Sequence, residues 1–251
     1  MSDAWSPGKP DYTTLDLPAP PADRPYVIAN TVMSADGKSV IEGTEQGIGS
    51  AVDQRLMREL RVNADVVLNG AGTLRASGTS SRLGDDALEA IRIKGGKPRV
   101  PIAAVLSRGG DLPLERAFFT ARDFPAVVYL SEASPDDRRA AIAATGRTVV
   151  TLPEGREFEE MLRHMRHELE AEVLLVEGGP TVYAALYALD AIDEAFVTLG
   201  PVVVGGADTL TAVAGERAFT RGEAKRLDLV SAHPNPETDE VYVRYRVRRQ
   251  S

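Results

Sequence analysis

The sequence predicts an α/β domain: a largely parallel sheet covered by helices and finished by antiparallel strands. Three observations carry this. Short β-branched runs recur along the chain: Tyr26–Val32, Ala64–Asn69, Val100–Leu106, Ala126–Leu130, Thr148–Leu152 and Val173–Val176. Being almost continuously apolar and bounded by turn residues, they suit strands buried on both faces of a parallel sheet. Amphipathic segments lie between them, as crossover helices require. The last fifth then changes character. Glu194–Leu199, Arg226–Ala232 and Glu240–Arg248 read as strands separated by turns.

The helices follow from spacing. Val52, Leu56, Met57 and Leu60 share one face, with Ser50 as cap and Asp53 in the first turn. Pro135–Thr145 reads as a helix with Ser134 at the N-cap and Pro135 at the first helical position. Phe158, Met161, Leu162, Met165 and Leu169 form another stripe, and residues 181–189 a last helix. In the final strand Val241, Val243, Tyr245 and Val247 face one way, while Tyr242, Arg244, Arg246 and Arg248 face the other. That alternation marks a half-exposed antiparallel strand near a sheet edge. Residues 1–24 carry six prolines counting Pro25 at their boundary, without periodicity, and read as an extended, loosely ordered arm. Trp5, Tyr12, Leu15 and Leu17 are its only means of lying along a surface. Residues 25–251 read as one domain.

Composition narrows the functional classes. The chain has 251 residues, of which 43% are hydrophobic, enough for a sizeable core. Its 29 Lys+Arg against 37 Asp+Glu leave a formal net charge of −8, so bulk charge attracts neither nucleic acid nor anionic lipid. No cysteine is present, which removes disulfides, thiolate metal ligands and cysteine nucleophiles together. The apolar runs are shorter than a membrane span and no signal peptide opens the chain, so a cytoplasmic location is expected. His164 and His167 lie three apart on a charged helix and read as exposed, with nothing to complete a metal site; no metal is expected.

Glycine turns mark the candidate site. Glu177-Gly178-Gly179-Pro180-Thr181 lies between the apolar strand at Val173–Val176 and a helix. Glycines there let the backbone approach an anion, and the helix N-terminus adds positive partial charge. Gly70-Ala71-Gly72-Thr73 follows another strand. Two such turns converge on one crevice at the carboxyl edge of a parallel sheet. The G-x-G-x-x-G dinucleotide fingerprint is absent. A third turn, Ser34-Ala35-Asp36-Gly37-Lys38, brings a carboxylate and an ammonium close together, as a proton donor and anchor or simply as a solvated turn. On the residues alone the reading stops at an α/β protein that binds a phosphorylated small molecule.

Five motifs in order go further: Ser34–Lys38, Leu60–Asp65, Gly70–Leu74, Glu177–Thr181 and Gly200–Gly206. Together they resemble the pyrimidine-reductase domain of riboflavin biosynthesis, in the dihydrofolate-reductase-like fold, from about Arg24 to the C-terminus. The resemblance implies a three-layer α/β/α domain with a mixed, mostly parallel sheet, NADPH as hydride donor, and a homodimer. It implies reduction of a phosphorylated ribosylaminopyrimidine: the sugar ring opens to an imine and hydride attacks its C1′. Asp36 and Lys38 would then be catalytic, and Arg61, Arg82 and Glu177 would bind substrate. Val32, Gly72, Thr73, Ser77, Ser107, Gly178, Gly179, Pro180 and Thr181 would contact NADPH.

The chain departs from the family pattern in two places. An Asp-Asp-Pro stretch is replaced by Leu74–Arg82, where Arg82 stands in for a substrate arginine. The loop before the first long helix places Glu45 where a phosphate contact is expected. These changes keep two alternatives open: a reductase of the same fold acting on a pterin or dihydrofolate-like ring, with Asp36 as its carboxylate, and a non-catalytic ligand-binding relative. The family's deaminase domain needs cysteines for its zinc, so none lies within these residues.

Overall fold

A computed structural model describes residues 7–76 and 78–249. Nine strands form one sheet: β1 (Tyr26–Ser34), β2 (Val66–Gly70), β3 (Ile102–Ser107), β4 (Ala126–Ser131), β5 (Thr148–Leu152), β6 (Val173–Val176), β7 (Glu194–Gly200), β8 (Arg226–Asn235) and β9 (Glu240–Arg248). Their order is β5-β4-β3-β2-β6-β1-β7-β9-β8. The first seven pair in parallel, whereas β9 runs antiparallel to both β7 and β8. Every strand expected from the sequence is present, shifted at its ends by a few residues.

Seven helices accompany them: α1 (Ala51–Asn63), α2 (Ala71–Ala76), α3 (Asp86–Lys94), α4 (Ala117–Thr120), α5 (Asp136–Ala144), α6 (Glu157–His167) and α7 (Pro180–Ala188). Side-chain alternation along the strands sorts the core into layers. Val27, Ala29, Val66, Leu68, Leu174 and Val176 pack on one face with Met161 and Met165 of α6 and Val182 and Leu186 of α7. Ile28, Val67, Leu175 and Phe196 face the other way, against Leu56 and Leu60 of α1. Farther along that face Val105, Val128 and Leu130 meet Leu74, Phe118 and Phe119 of the short helices. The result is the three-layer arrangement with antiparallel C-terminal strands that the resemblance implies.

Three local expectations are corrected. Helices α2, α3 and α4 were not foreseen; α2 occupies what reads as a glycine turn, and α3 is nucleated by Asp85, whose carboxylate accepts from the Ala87 and Leu88 amides. At α5 the N-cap is Pro135, because the Ser134 hydroxyl is engaged by the Arg108 carbonyl at 2.7 Å. His164 is not an exposed surface histidine. Its Nδ1 lies 3.0 Å from the buried Tyr129 hydroxyl, and burial lowers its pKa.

The described part of the arm packs on its own domain. Tyr12 is buried edge-on to Phe196, at 5.0 Å between ring centres, and its amide donates to Glu59 of α1. Asn63 accepts from the Leu15 amide and donates to the Tyr12 carbonyl, so the arm is tied along α1 by backbone bonds. At its end Arg24 grips Asp193 with two bonds of 2.6 and 2.9 Å, and Asp193 also accepts from the Val27 amide that starts β1.

Both partners of the Arg24–Asp193 pair are almost fully buried. Arg249 pairs with the same Asp193 carboxylate, so removing Arg24 leaves that buried charge with fewer partners rather than none, at a cost of about 2 kcal/mol. Arg24→Ala is therefore expected to lose about that much in urea unfolding, and a variant as stable as the parent would contradict the assignment.

Candidate active site

The chain runs outward through β2, β3, β4 and β5 and then returns to place β6 between β2 and β1. Such a reversal opens a crevice at the carboxyl ends of the strands. A cavity of about 910 Å³ lies there, at the upper end of small-molecule sites. Asn30–Val32 of β1, Asn69 of β2 and the Glu177–Pro180 turn after β6 form its centre. Glu45–Gly47, Gly49, Asp53, Gln54 and Met57 form one wall, and Gly78–Ser80, Arg82, Arg116 and Ala117 form the other.

The centre depends on two turns passing close to one another. The Gly70 amide donates to the Gly178 carbonyl at 2.8 Å. Gly178 has φ +147°, and a Cβ there would sit 3.0 Å from the Thr73 hydroxyl; one on Gly179 would sit 3.3 Å from it. Only glycine combines that φ with that proximity. The peptide between the two glycines is cis. The turn runs directly into α7, with Gly179 as N-cap and Pro180 in the first turn, so bare backbone and a helix N-terminus face the same space. The buried Tyr183 hydroxyl donates to the carbonyls of Asn30 and Val176, fastening α7 to the middle of β1 and the end of β6. On the opposite wall, a Cβ on Gly200 would overlap the Ile48 carbonyl at 2.2 Å, so this glycine lets the Glu45–Gly49 loop cross the end of β7.

The arginines expected to hold substrate are brought to the cavity, but each is already paired. Arg61, in the last turn of α1, makes a two-pronged bond to Glu177 at 2.6 and 2.7 Å, with both side chains largely buried. Its remaining nitrogen bonds the Arg82 carbonyl. Arg82 makes its own two-pronged bond to Asp123, at 2.5 and 2.6 Å, and lies 4.8 Å over the Phe124 ring.

Asp53 is a cavity residue that the sequence reading did not single out. It lines the cavity from the first turn of α1, where the helix dipole favours its charged form by about 0.3–1 kcal/mol. Burial outweighs this and the Thr198 hydrogen bond: with Glu240 adding like charge, the pKa is pushed up to about 6. Glu240 is itself buried and accepts from the Ser50 amide at 2.6 Å and the Ser50 hydroxyl at 2.7 Å. Ser50 in turn caps α1. One signal for Asp53 was visible: it lies three, four and seven residues before Leu56, Met57 and Leu60, a carboxylate on an apolar stripe.

Asp36 and Lys38 lie outside the cavity wall. Asp36 is exposed and accepts from the Ser34 hydroxyl (2.6 Å) and the Val204 and Gly205 amides (3.1 and 2.7 Å). These bonds, the Ser34 hydroxyl foremost, hold its pKa at about 2. A carboxyl ionised so firmly has no proton to give at neutral pH, and being exposed it is no buried pterin carboxylate either. Lys38 donates to the Thr209 carbonyl at 3.2 Å. Together they tie their turn to the segment after β7, and the next two residues, Ser39 and Val40, line the cavity.

Of the expected cofactor contacts, Val32, Thr73, Gly178, Gly179 and Pro180 line the cavity. Gly72 is exposed on α2 and Thr181 is exposed on α7, both outside the wall because helical geometry turns them outward. The Ser107 hydroxyl is buried and accepts from the Gly110 amide at 3.1 Å, so it shapes the turn after β3. Ser77 lies outside the described residues. Among the described residues no helix is long and apolar enough to cross a membrane.

Residues 25–235 match the profile of the RibD C-terminal domain family. The chain is 29% identical to the 2,5-diamino-6-ribosylamino-4(3H)-pyrimidinone 5′-phosphate reductase of Methanothermobacter thermautotrophicus, over 90% of this chain and 99% of the relative. The reductase of the same name from Archaeoglobus fulgidus is 26% identical over 82% and 94%. Among solved structures, a pyrimidine reductase-like protein of Corynebacterium diphtheriae superposes with a TM-score of 0.79 at 22% identity, covering 91% of this chain and 94% of its own. The yeast riboflavin biosynthesis reductase Rib7 does so at 0.60 and 15% identity, covering 91% and 92%. Both share the fold.

A raised Asp53 pKa has a stability consequence. Between the ordinary aspartate value of 3.8 and about 6, the native state holds a proton that the unfolded chain has released. Stability therefore falls as pH rises through that window, by on the order of 2 kcal/mol. Asp53→Asn is expected to match the parent near pH 4 and exceed it by about that amount near pH 8 in denaturant titrations. Parallel curves at all pH values would show that Asp53 is not proton-bound in the fold.

Proposed function

The chain belongs to the RibD C-terminal domain family, and on that footing we propose that it reduces a phosphorylated ribosylaminopyrimidine to its ribitylamino product with NADPH, in riboflavin biosynthesis. The observation that carries this reading is the crevice itself, with an anion-receptive glycine cradle at its centre and a proton-holding carboxylate in its wall. The residues fit a nicotinamide dinucleotide: the Gly178–Gly179 backbone, packed against Thr73, lines the cavity without side chains, and α7 begins there. Bound NADPH supplies a hydride, so the chain needs no nucleophile of its own.

What remains for the protein is alignment, exclusion of water and one proton. The cradle, Thr73 and Val32 are the residues that would hold the dinucleotide. The Arg61–Glu177 pair offers the pyrimidine a fixed polar floor. As the ribose C1′–O4′ bond breaks, the Asp53 carboxyl would give its proton to O4′, leaving a protonated imine whose C1′ is the acceptor for the hydride that the cofactor would supply. Solvent reprotonates Asp53, balancing the single proton that the reduction consumes. A pKa of about 6 suits this role near neutrality. Asp36 and Lys38 act one step back, by fixing the turn that precedes Ser39 and Val40.

A second reading, reduction of a dihydrofolate-like ring, is favoured by the same Asp53, since a buried carboxylate pairs well with the amidine edge of a pterin. A homodimer and a cytoplasmic location accompany the first reading. The edge strand β8 supports the dimer: among the described residues no strand pairs with its outer edge, and Leu227 and Leu229 are left about two-fifths exposed.

The test is loss of reduced-nicotinamide absorbance with the ribosylaminopyrimidine 5′-phosphate and with dihydrofolate in parallel. Turnover on the pyrimidine, with a ribityl product by mass, is expected, and turnover on dihydrofolate alone would replace the first reading by the second. In the active reaction kcat/KM is expected to fall as pH rises through about 6, and Asp53→Asn to lose about a hundredfold in kcat. A pH-independent rate with an active Asp53→Asn enzyme would remove Asp53 from the chemistry.

A further inference from the structure

The cavity wall carries three arginines, and two are committed within the protein: Arg61 to Glu177 and Arg82 to Asp123. Arg116 differs. Among the described residues it forms no ion pair; one nitrogen donates to the Arg75 carbonyl at 3.2 Å, and NH1 lies 3.9 Å from the Cβ position of Gly78. Its guanidinium is exposed at the far wall, beside the hydroxyl residues Thr79 and Ser80. The opposite wall carries Glu45 and Asp53, so anionic ligand groups are repelled there and drawn to the Arg116 end.

We propose that Arg116 binds the phosphate monoester of a ligand in this cavity and sets the selectivity for the phosphorylated form. The proposal rests on the reductase reading for the identity of that ligand. The geometry suits the chemistry: a guanidinium with one prong held by a carbonyl keeps its other N–H groups for two phosphate oxygens. A carboxylate-paired arginine such as Arg82 would have to break two short bonds first. Two phosphate monoesters enter such a site, the 5′-phosphate of the substrate and the 2′-phosphate of the cofactor. Arg116 takes one of them.

Calorimetric titration distinguishes the two. Dissociation constants are measured for the ribosylaminopyrimidine with and without its 5′-phosphate, and for NADP⁺ against NAD⁺. In one pair the phosphorylated member binds tenfold or more tighter, and Arg116→Ala erases that ratio while leaving the unphosphorylated member unchanged. Arg116→Lys, keeping charge without the fork, restores part of it. The pair that responds identifies the phosphate. Unchanged ratios in both pairs overturn the proposal.

Inorganic phosphate separates this result from the reading beneath it. Should the pyrimidine and both nucleotides fail to bind, the reductase reading falls. The phosphate site then stands if millimolar phosphate raises the Tm of the parent and not of Arg116→Ala, and it falls if both respond alike.

Discussion

Everything at the site depends on the close passage of two turns, one after β2 and one after β6. The Gly70 amide meets the Gly178 carbonyl at 2.8 Å, and the Thr73 hydroxyl occupies the place where side chains on Gly178 or Gly179 would begin. This contact lets β6 sit between β1 and β2 with its turn level with theirs. It also delivers α7 to the crevice with its N-terminus inward. Separating the turns by the width of a methyl group would tilt α7 away from Asn30 and Val176, to which Tyr183 binds it. Cradle, floor and wall are therefore consequences of one packing constraint.

Charge is distributed around that constraint in a definite way. The chain is acidic overall, yet its cavity has to admit phosphorylated ligands. It does so without a general basic field: Arg61 and Arg82 are neutralised by Glu177 and Asp123, while the Gly178–Gly179 backbone lines the space and, of the cavity arginines among the described residues, Arg116 has no carboxylate partner. The acidic wall is equally particular. Burial acts on Asp53 more strongly than the helix dipole does, and Glu240, held by Ser50, maintains the like charge behind it. The proposed proton donor and the proposed phosphate ligand thus lie on opposite walls of one crevice.

Much of this was legible in the sequence, and the exceptions have physical causes. Strands announce themselves when both faces are buried, which is why Val27–Ala29 and Leu174–Val176 were readable without a structure. The glycine turn at Gly178 was readable because few roles require two glycines between a buried strand and a helix. Short helices such as α2 and α4 have too few residues to show a period. The sequence reading singled out Asp36 and passed over Asp53, because both are acids near a strand or helix end; the structure places Asp53 in the cavity lining and Asp36 outside it. Burial separates them: Asp36 is exposed, whereas Asp53 is enclosed beside Thr198 of β7 and Glu240 of β9, which are distant in the chain. Arg116 carried no local signal at all; its significance appears only after its two neighbours prove to be paired.

The most direct measurement is a crystal structure with NADP⁺ and the ribosylaminopyrimidine phosphate bound together. The account predicts the pyrophosphate on the Gly178–Pro180 backbone, the nicotinamide beside Val32, and the ribose C1′–O4′ bond within reach of the Asp53 carboxyl. A dinucleotide bound elsewhere, or a ribose turned toward Asp36 with Asp53 unoccupied, would contradict it.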